Sequence, residues 1–189
     1  MLTTPFIVPT GYGMRPVSCE GPLSRIPIGH KIKSILDLGC GGGRVAIWLS
    51  LYRDITFEEV YGIDFRKDIL AEYQKFKEEK NLFPGAKFKL FGHGYQTIRL
   101  PNHSIDLITA YMSMHHVSKW TAESTVDEIA RVSAANGLIC LWRAFKFWRI
   151  SDVRSLCRRN GLKDAIVQQD KEYCTIINAA MATLVGPLV

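Results

Sequence analysis

A cluster of glycines that directly follows a short apolar run limits the possible folds of this chain more than any other segment. Residues Ser34–Leu38 have the composition of a buried strand, and the sequence Gly39-Cys40-Gly41-Gly42-Gly43 comes next. Residues 44–52 then repeat apolar side chains at spacings of three and four, which predicts an amphipathic helix. A strand, a glycine turn and a helix start bring backbone close to a nucleotide-like ligand, because glycine has no side chain to block the ligand or the turn.

Two acidic residues flank this glycine turn. Asp37 precedes the first glycine by two positions, and Asp64 ends a second predicted strand, 25 positions after Gly39. In nucleotide-binding α/β folds, an acid at the end of the second strand can accept hydrogen bonds from both hydroxyl groups of a ribose. The turn and the acid at position 64 therefore predict a ligand that contains a nucleoside.

From residue 31 onward, apolar runs of strand length alternate with amphipathic segments. This alternation predicts a mostly parallel sheet with helices on both faces. The short polar link 169–172 forces a hairpin, so the final strand must run antiparallel to its neighbour. The predicted strands are 34–38, 60–64, 87–91, 105–111, 138–142, 165–168 and 173–181, and the predicted helices are 44–52, 67–80, one from near Ser124 to Asn136-Gly137, and 151–160 with Ser151 as its N-cap.

The first 30 residues differ in composition from the rest of the chain. Prolines and glycines occur there at a density that breaks helices and strands alike. They are Pro5, Pro9, Gly11, Gly13, Pro16, Gly21, Pro22, Pro27 and Gly29. We therefore predict a proline- and glycine-rich arm over residues 1–30, followed by a single α/β domain over residues 31–189, a length that suits one domain.

Cysteine usage and hydropathy indicate the compartment. The five cysteines form no Cys-x-x-Cys pair, and their odd number argues against a disulfide framework, so a reducing compartment and no metal site are predicted. No apolar run approaches the roughly 20 residues that a membrane-spanning helix needs. The first residues lack the features of a secretory signal. We expect a cytoplasmic or nucleoplasmic protein that does not enter a membrane.

The formal net charge is +6, and basic residues are concentrated in one region. Seven of the 24 lysines and arginines fall within residues 143–163, interleaved with Trp142, Phe145, Phe147 and Trp148. Positive charge mixed with aromatic rings suits phosphates and nucleobases. The alternative is a solvated helix face with an aromatic stripe toward the core, and the sequence leaves both interpretations open.

The glycine turn and the second strand resemble two known family motifs. Residues 35–43, Ile-Leu-Asp-Leu-Gly-Cys-Gly-Gly-Gly, resemble motif I of class I S-adenosylmethionine (SAM)-dependent methyltransferases, and residues 61–64, Tyr-Gly-Ile-Asp, resemble motif II. Residues 100–108, 128–132 and 136–139 are similar to the family's fourth strand, following helix and fifth strand. The resemblance implies a single-domain seven-stranded sheet of order 3-2-1-4-5-7-6, with the last strand antiparallel, and SAM as the cofactor without a metal.

The resemblance also implies a set of cofactor-binding residues. Asp37 and the backbone of Gly39 and Gly41 would border the methionine portion of SAM, and Asp64 would hold the ribose. The family's adenine-binding Asp is missing, and a His93 nitrogen or the Gln96 carbonyl oxygen could accept instead; the sequence does not choose between them. The full implied set is Asp37, Gly39, Cys40, Gly41, Gly43, Arg44, Asp64, Phe65, His93, Gln96 and Tyr111.

The reacting centre is expected after the fourth strand. Methyl transfer needs the acceptor in line with the bond that breaks, and alignment can supply up to ~7–11 kcal/mol, so a base is optional. Here the candidate catalytic residues are Tyr111, His115 and His116. The segment 110–117 contains no Asn-Pro-Pro-Tyr or Asp-Pro-Pro-Tyr, which argues against methylation of exocyclic amino groups of bases. The chain has no Pro-Cys, which argues against methylation of cytosine C5.

Residues 111–116, Tyr-Met-Ser-Met-His-His, loosely resemble a segment of mRNA cap guanine-N7 methyltransferases. Guanine N7 has an exposed lone pair and requires no deprotonation. The resemblance implies capped RNA as the substrate. The small size of the chain suggests a minimal domain that is one unit of a larger viral or cellular polypeptide, and a monomer is the default expectation. The residues expected to bind the RNA are Phe6, Tyr12, Arg143, Phe145, Lys146, Trp148 and Arg149.

Two alternatives to capped RNA remain open at this point. One is a small-molecule O- or C-methyltransferase in which His115 or His116 acts as the base, with the arm as a lid. The other is a SAM-binding scaffold without catalytic activity that stimulates a partner.

Overall fold

The computed structural model describes residues 7–10, 13–19 and 21–186. Its strands are β1 Ile7–Thr10, β2 Gly13–Pro16, β3 Ser34–Leu38, β4 Glu59–Ile63, β5 Lys87–Phe91, β6 Ile105–Tyr111, β7 Ser133–Lys146, β8 Ile166–Asp170 and β9 Tyr173–Ile177. Its α-helices are α1 Arg44–Arg53, α2 Lys67–Glu79, α3 Lys119–Val132, α4 Ile150–Arg159 and α5 Ala179–Val185, and short 3₁₀ helices occupy Gly21–Arg25 and Met114–His116.

Seven of these strands form one sheet in the order β5-β4-β3-β6-β7-β9-β8. Strands β3 to β7 pair in parallel, and β9 runs antiparallel to both β7 and β8. The predicted α/β class, a mostly parallel seven-stranded sheet with helices on both faces, is confirmed. Counted along the whole chain, the strand order is 5-4-3-6-7-9-8 and not the expected 3-2-1-4-5-7-6. The numbers differ because strands β1 and β2 of the arm precede the sheet, so each later strand is numbered two higher.

The arm forms an antiparallel β1–β2 hairpin, although its prolines and glycines predicted neither strand. An isolated two-stranded ribbon tolerates proline, since a backbone nitrogen at its edge needs no partner in a ladder. Val8, Val17 and Leu23 are buried in the same apolar cluster as the sheet. The separate arm of residues 1–30 stays a prediction, but its apolar side chains contribute to the main core.

Helices cover both faces of the sheet, as alternating side chains of each buried strand require. Ile35 of β3 packs in a cluster with side chains of α1, α2 and α5. Its neighbour Leu36 packs on the other face with side chains of α3 and α4. This layering places the carboxyl ends of β3, β4 and β6 at one edge of the sheet.

Helix α3 and strand β7 have different bounds from those predicted. The hydroxyl group of Ser118 accepts a hydrogen bond from the Thr121 amide at 3.2 Å, so α3 begins before Ser124. The predicted stop at Asn136-Gly137 lies inside β7 instead. Asn178 explains this extended backbone, because its amide donates to the Gly137 oxygen at 2.7 Å and accepts from the Ile139 nitrogen at 3.0 Å.

The end of the chain also differs from the prediction. The last strand stops at Ile177 rather than at residue 181, and helix α5 follows. Asn178 caps this helix by accepting from the Met181 nitrogen at 3.1 Å. An apolar run of this length suits a strand and a buried helix equally, so the sequence pattern does not distinguish between a longer last strand and a helix. Helix α4 begins at Ile150 after Arg149, without the Ser151 side-chain cap that was predicted.

All five cysteines are buried and unpaired. Within the described ranges, none of the helices combines the length and the apolar character needed to cross a membrane.

Candidate functional site

The glycine turn between β3 and α1 is held against the end of β4. The amides of Gly39 and Cys40 both donate to the carbonyl oxygen of Ile63, at 2.7 and 3.1 Å. The amide of Gly43 donates to the Cys40 oxygen at 2.8 Å, which closes the turn before the helix begins. The turn is therefore a fixed wall of backbone at the carboxyl edge of the sheet.

Gly41 is the residue of this turn that faces open space. Its φ of 49° lies in the left-handed region, and a Cβ atom placed on it would meet no atom within 4 Å. At Gly42, by contrast, a Cβ atom would lie 1.8 Å from the carbonyl oxygen of Pro9. Strand β1 of the hairpin thus packs directly on one side of the turn, while Gly41 leaves the other side open.

Two adjoining cavities of about 400 and 180 Å³ lie along this wall. Both are lined by Gly39, Gly41, Tyr111, Met112 and His116. The larger cavity is completed by Pro9, Asp37, Cys40, Gly42, Arg44, Val45 and His115. The smaller cavity is completed by Asp64, Phe65, Arg66, Tyr95 and Ser113. Most of the sequence-predicted cofactor and catalytic residues thus line one cleft.

Asp64 connects the glycine turn to the loop after β4. It is 8% exposed. One carboxylate oxygen accepts from the Gly41 amide at 3.1 Å, and the other accepts from the Arg66 amide at 2.9 Å. A carboxylate has about four acceptor positions, so these two bonds leave others for a ligand. The backbone amides also fix the orientation of the carboxylate beside the smaller cavity.

Asp37 lies deeper, beneath the larger cavity. It is 4% exposed and accepts a hydrogen bond from the Thr109 hydroxyl group at 2.7 Å. Burial raises the pKa of Asp37 to about 7; the Thr109 hydrogen bond opposes this rise and the charge of Asp64 adds to it. The side chain can therefore change its charge near neutral pH.

Arg44 and Cys40 occupy the floor and the side of the larger cavity. The Arg44 guanidinium group donates from Nε to the Ser18 carbonyl oxygen and from Nη2 to the Ser18 hydroxyl oxygen, both at 2.8 Å. Its Cζ atom lies 5.4 Å from the centre of the Tyr111 ring. Burial, followed by the charges of Asp37 and Asp64, raises the pKa of the Cys40 thiol. Arg44 thus connects the arm to the cleft, and Cys40 remains a neutral thiol.

His115 and His116 both line the larger cavity. Their ring centres are 3.8 Å apart, and the His115 ring meets Tyr173 edge to face at 6.0 Å. Burial first, and then His116 and Lys146, lower the pKa of His115. The His115 ring is therefore neutral at pH 7 and can donate or accept one hydrogen bond at each nitrogen according to its tautomer.

The sequence places this cleft within a known family. Residues 35–137 match the sequence profile of the methyltransferase domain, which is more than half of the chain. The chain belongs to the methyltransferase domain family. It is a methyltransferase. None of the curated proteins compared with the sequence matches it significantly.

Solved structures with low sequence identity share the fold of the methyltransferase. The YcgJ protein of Bacillus subtilis is 20% identical, with a TM-score of 0.58 over 78% of this chain and 69% of that one. A TehB-like SAM-dependent methyltransferase of Corynebacterium glutamicum is 19% identical, with a TM-score of 0.58 over 85% and 86%. A SAM-dependent methyltransferase of Aquifex aeolicus is 17% identical, with a TM-score of 0.57 over 80% and 82%.

The residues of the cleft fit SAM. The space beyond Gly41 would be filled by any larger side chain, so the turn leaves room for a ligand against its backbone. Asp64 offers acceptors toward ribose hydroxyl groups, and Asp37 offers a negative charge to a cation. When bound, SAM supplies a methyl group carried by a positively charged sulfur. Among the residues described, no three His, Cys, Asp or Glu side chains are grouped so that they could hold a metal ion.

The two adenine candidates lie outside the cavity walls of the methyltransferase. The Nδ1 atom of His93 is 2.7 Å from the Gly94 oxygen, and the Gln96 amide donates to the Thr121 hydroxyl group at 3.4 Å. Neither side chain lines either cavity. Tyr95, which lies between them in sequence, lines the smaller cavity and is 5% exposed. The sequence did not indicate Tyr95, because the family pattern places a hydrogen-bond acceptor for adenine here, either an Asp or a side chain that replaces it.

Two further residues support the turn and were not assigned to the site. The Tyr73 ring of α2 fills the space beside Gly43, since a Cβ atom added to Gly43 would lie 1.9 Å from the Cζ atom of Tyr73. Thr109 donates to Asp37 from the middle of β6. A hydroxyl residue inside an otherwise apolar strand was a signal that could have identified Thr109. Tyr73 gave no such signal, because it belongs to the apolar stripe of its helix.

The predicted RNA-binding residues that the structure describes do not line the cleft. Arg143, Lys146 and Arg149 form ion pairs with Asp170, Glu172 and Asp152, respectively. Phe145 is fully buried, and Trp148 packs against it with ring centres 5.2 Å apart. Phe6 and Tyr12 lie outside the described residues. Phe65, a predicted cofactor residue, is 65% exposed at the edge of the smaller cavity.

We expect the affinity of the methyltransferase for SAM to increase as the pH rises toward about 7 and to level off above that value. Burial raises the pKa of Asp37 to about 7, and the carboxylate attracts a cationic ligand only when it is ionised. A bound cation lowers this pKa, so affinity grows as pH approaches 7 from below. Each unit of difference between the free and bound pKa changes the affinity tenfold. Calorimetric titration with SAM at a series of pH values measures this dependence.

The matched variant is Asp37→Asn, which keeps the size of the side chain and removes its titration. Its SAM affinity should be lower at pH 8 and should vary less below pH 7. A variant with the same pH dependence as the wild type would show that another group is responsible.

Proposed function

We propose that this methyltransferase acts on a small organic molecule whose reacting atom enters the larger cavity beside Tyr111, His115 and His116. This proposal rests on the ion pairing of the cations in the basic segment 143–163. Four of its seven cations form ion pairs with carboxylates, namely Arg143, Lys146, Arg149 and Arg159. A surface that binds an RNA chain needs an excess of positive charge, and ion pairing reduces this excess.

The aromatic residues of the same segment support this proposal. A ring must expose a face to stack on a base. Phe145 is fully buried, and Trp148 is partly buried and in contact with Phe145. Only Phe147 is well exposed, at 75%. The segment therefore offers few free ring faces for stacking, although Phe145 lies in β7 and Trp148 in the link before α4 and not on a helix face.

The cleft itself has the composition of a small-molecule site. Such sites have volumes of about 300–1,000 Å³ and combine apolar walls with a few placed polar groups. The larger cavity measures about 400 Å³ and has Val45, Tyr111 and Met112 on its walls. Its polar side chains are those of Asp37, Arg44 and the two histidines. These walls would hold the acceptor in line and exclude water from the reacting atoms.

Capped RNA is the second candidate. Tyr111, His115 and His116 line the larger cavity together, as the resemblance to cap guanine-N7 methyltransferases implies. A guanine ring could stack on Tyr111 in this cleft. Its triphosphate and RNA chain would then need cations outside the cleft, and four of those in segment 143–163 already form ion pairs with acids.

One labelling experiment separates these candidates. The protein is incubated with SAM that carries a labelled methyl group, once with a low-molecular-weight extract of cells that express it and once with capped RNA. We expect protein-dependent label in an extract component and none on the cap guanine. Label on the guanine would overturn the proposal in favour of RNA. Absence of label from every fraction would overturn it in favour of a scaffold, and a variant that cannot bind SAM provides the blank.

A further inference from the structure

The two nitrogens of the His115 ring have different surroundings. Among the described residues, Nδ1 is one of the few buried side-chain nitrogens without any hydrogen-bond partner. Nε2 is not enclosed in this way, and the ring lines the larger cavity. Of the two nitrogens, Nε2 is therefore the one open to a ligand, while Nδ1 is enclosed by protein.

This difference selects one tautomer of the neutral ring. Neutral imidazole has one N–H group and one lone pair, on opposite nitrogens. If Nε2 held the lone pair, Nδ1 would carry a buried N–H group without an acceptor. Among backbone groups, orphaned buried N–H groups are rarer than under-satisfied acceptors, and we apply the same preference to the imidazole ring. The surroundings of Nδ1 thus favour a proton on Nε2, the nitrogen that is not enclosed.

The residues packed around His115 favour a neutral ring. His116 lies against it, Tyr173 meets it edge to face, and Lys146 is close enough to disfavour a second positive charge. Lys146 also forms an ion pair with Glu172 at 3.2 Å, which holds it near Tyr173. A doubly protonated ring would add a second N–H group at the enclosed Nδ1 position. Both the charge and the enclosure oppose protonation.

We infer that His115 acts on the substrate as a hydrogen-bond donor through Nε2–H and not as the base. This inference rests on the proposed function, since it requires a substrate in the larger cavity. The acceptor atom must then hold a lone pair that is available at neutral pH, beside an atom that can accept a hydrogen bond. Ring nitrogens next to a carbonyl group and enolates methylated at carbon belong to this class, and unactivated alcohols and simple phenols do not.

The bond changes require no proton transfer to His115. The lone pair of the acceptor atom forms a bond to the methyl carbon while the carbon–sulfur bond breaks, and the electron pair of that bond remains on sulfur. If the methylated atom carries a hydrogen, its proton leaves to solvent afterwards. His115 orients the substrate through the neighbouring oxygen or nitrogen atom.

The tautomer can be measured without any substrate. In protein labelled with ¹⁵N-histidine, long-range proton–nitrogen spectra at about pH 8 distinguish Nε2–H from Nδ1–H rings. We expect the Nε2–H pattern for His115, whose signals are identified by their loss in His115→Gln. An Nδ1–H pattern would overturn the inference. Because the measurement uses no methyl acceptor, its outcome is independent of whether the proposed substrate class is correct.

Two substitutions then test the role in catalysis on the substrate identified by labelling. The amide nitrogen of glutamine can replace Nε2, and that of asparagine lies nearer the position of Nδ1. We expect His115→Gln to keep kcat/KM within about threefold of wild type and His115→Asn to lose more than about tenfold. Equal large losses, with a wild-type rate that falls as a histidine protonates, would show that His115 is a base. His30→Gln, outside the cleft, controls for histidine replacement.

Discussion

A Gly41→Val variant is expected to lose measurable SAM binding and to remain folded. The Cβ atom of residue 41 would meet no protein atom within 4 Å, so the valine side chain would project into the cleft that SAM occupies. Its φ of 49° adds backbone strain of about 1–3 kcal/mol, which a domain of ordinary stability tolerates. Calorimetric titration with SAM and thermal unfolding measure the two effects separately.

Gly85 offers a matched control for this variant. It has a φ of 79°, and a Cβ atom on it would also meet nothing within 4 Å, but it lines neither cavity of the cleft. Gly85→Val should therefore show similar strain and normal SAM affinity. A Gly41→Val protein that binds SAM as tightly as the Gly85→Val protein would contradict the assignment of the glycine turn.

An Asp64→Ala variant should bind SAM about 10- to 150-fold more weakly. Charge-assisted hydrogen bonds contribute ~1.5–3 kcal/mol each, and this factor corresponds to the loss of one such bond. Part of the loss would come from the Gly41 amide, which donates to Asp64 at 3.1 Å and would lose its acceptor. Asp68→Ala, an exposed acid at the start of α2, should leave the affinity unchanged.

Ribose recognition can be separated from this loop effect with two competitors. Adenosine should displace SAM from the wild type more strongly than 2′,3′-dideoxyadenosine does, because only adenosine offers hydroxyl groups to Asp64. In Asp64→Ala the two competitors should become similar. If the wild type does not distinguish them, Asp64 supports the glycine turn and does not hold the ribose.

Local patterns in the sequence were sufficient to predict the central strands of the sheet that carries the site. Strands β3, β5 and β6 have the predicted bounds. Strands β3 and β5 each end directly before a glycine, and β3 and β6 are mainly apolar, whereas β5 alternates lysines with apolar residues. The glycine turn was also predictable, since its backbone conformation excludes most side chains. Its position between Asp37 and Asp64 then followed from the parallel order of β3 and β4.

Pattern reasoning could not assign the roles of the polar side chains. The residues 143–163 suggested a nucleic-acid surface, but Arg143 pairs with Asp170 and Lys146 pairs with Glu172, both from the hairpin of β8 and β9. Charge density along a sequence does not reveal which acids the fold brings opposite to it. The sequence likewise pointed to His93 and Gln96, while Tyr95 lines the cavity.

The glycine-turn motif and the spacing of apolar residues were enough to indicate a SAM-binding α/β domain, because both depend on residues that are close together in the sequence. The hairpin on the glycine turn, helix α5 and the burial of one His115 nitrogen depend on long-range contacts. Asn178 holds the backbone at Gly137, 41 positions away, and Thr109 reaches Asp37 across 72 positions. Such contacts form only when the sheet closes, so the charge of Asp37 and the tautomer of His115 are properties of the packed molecule.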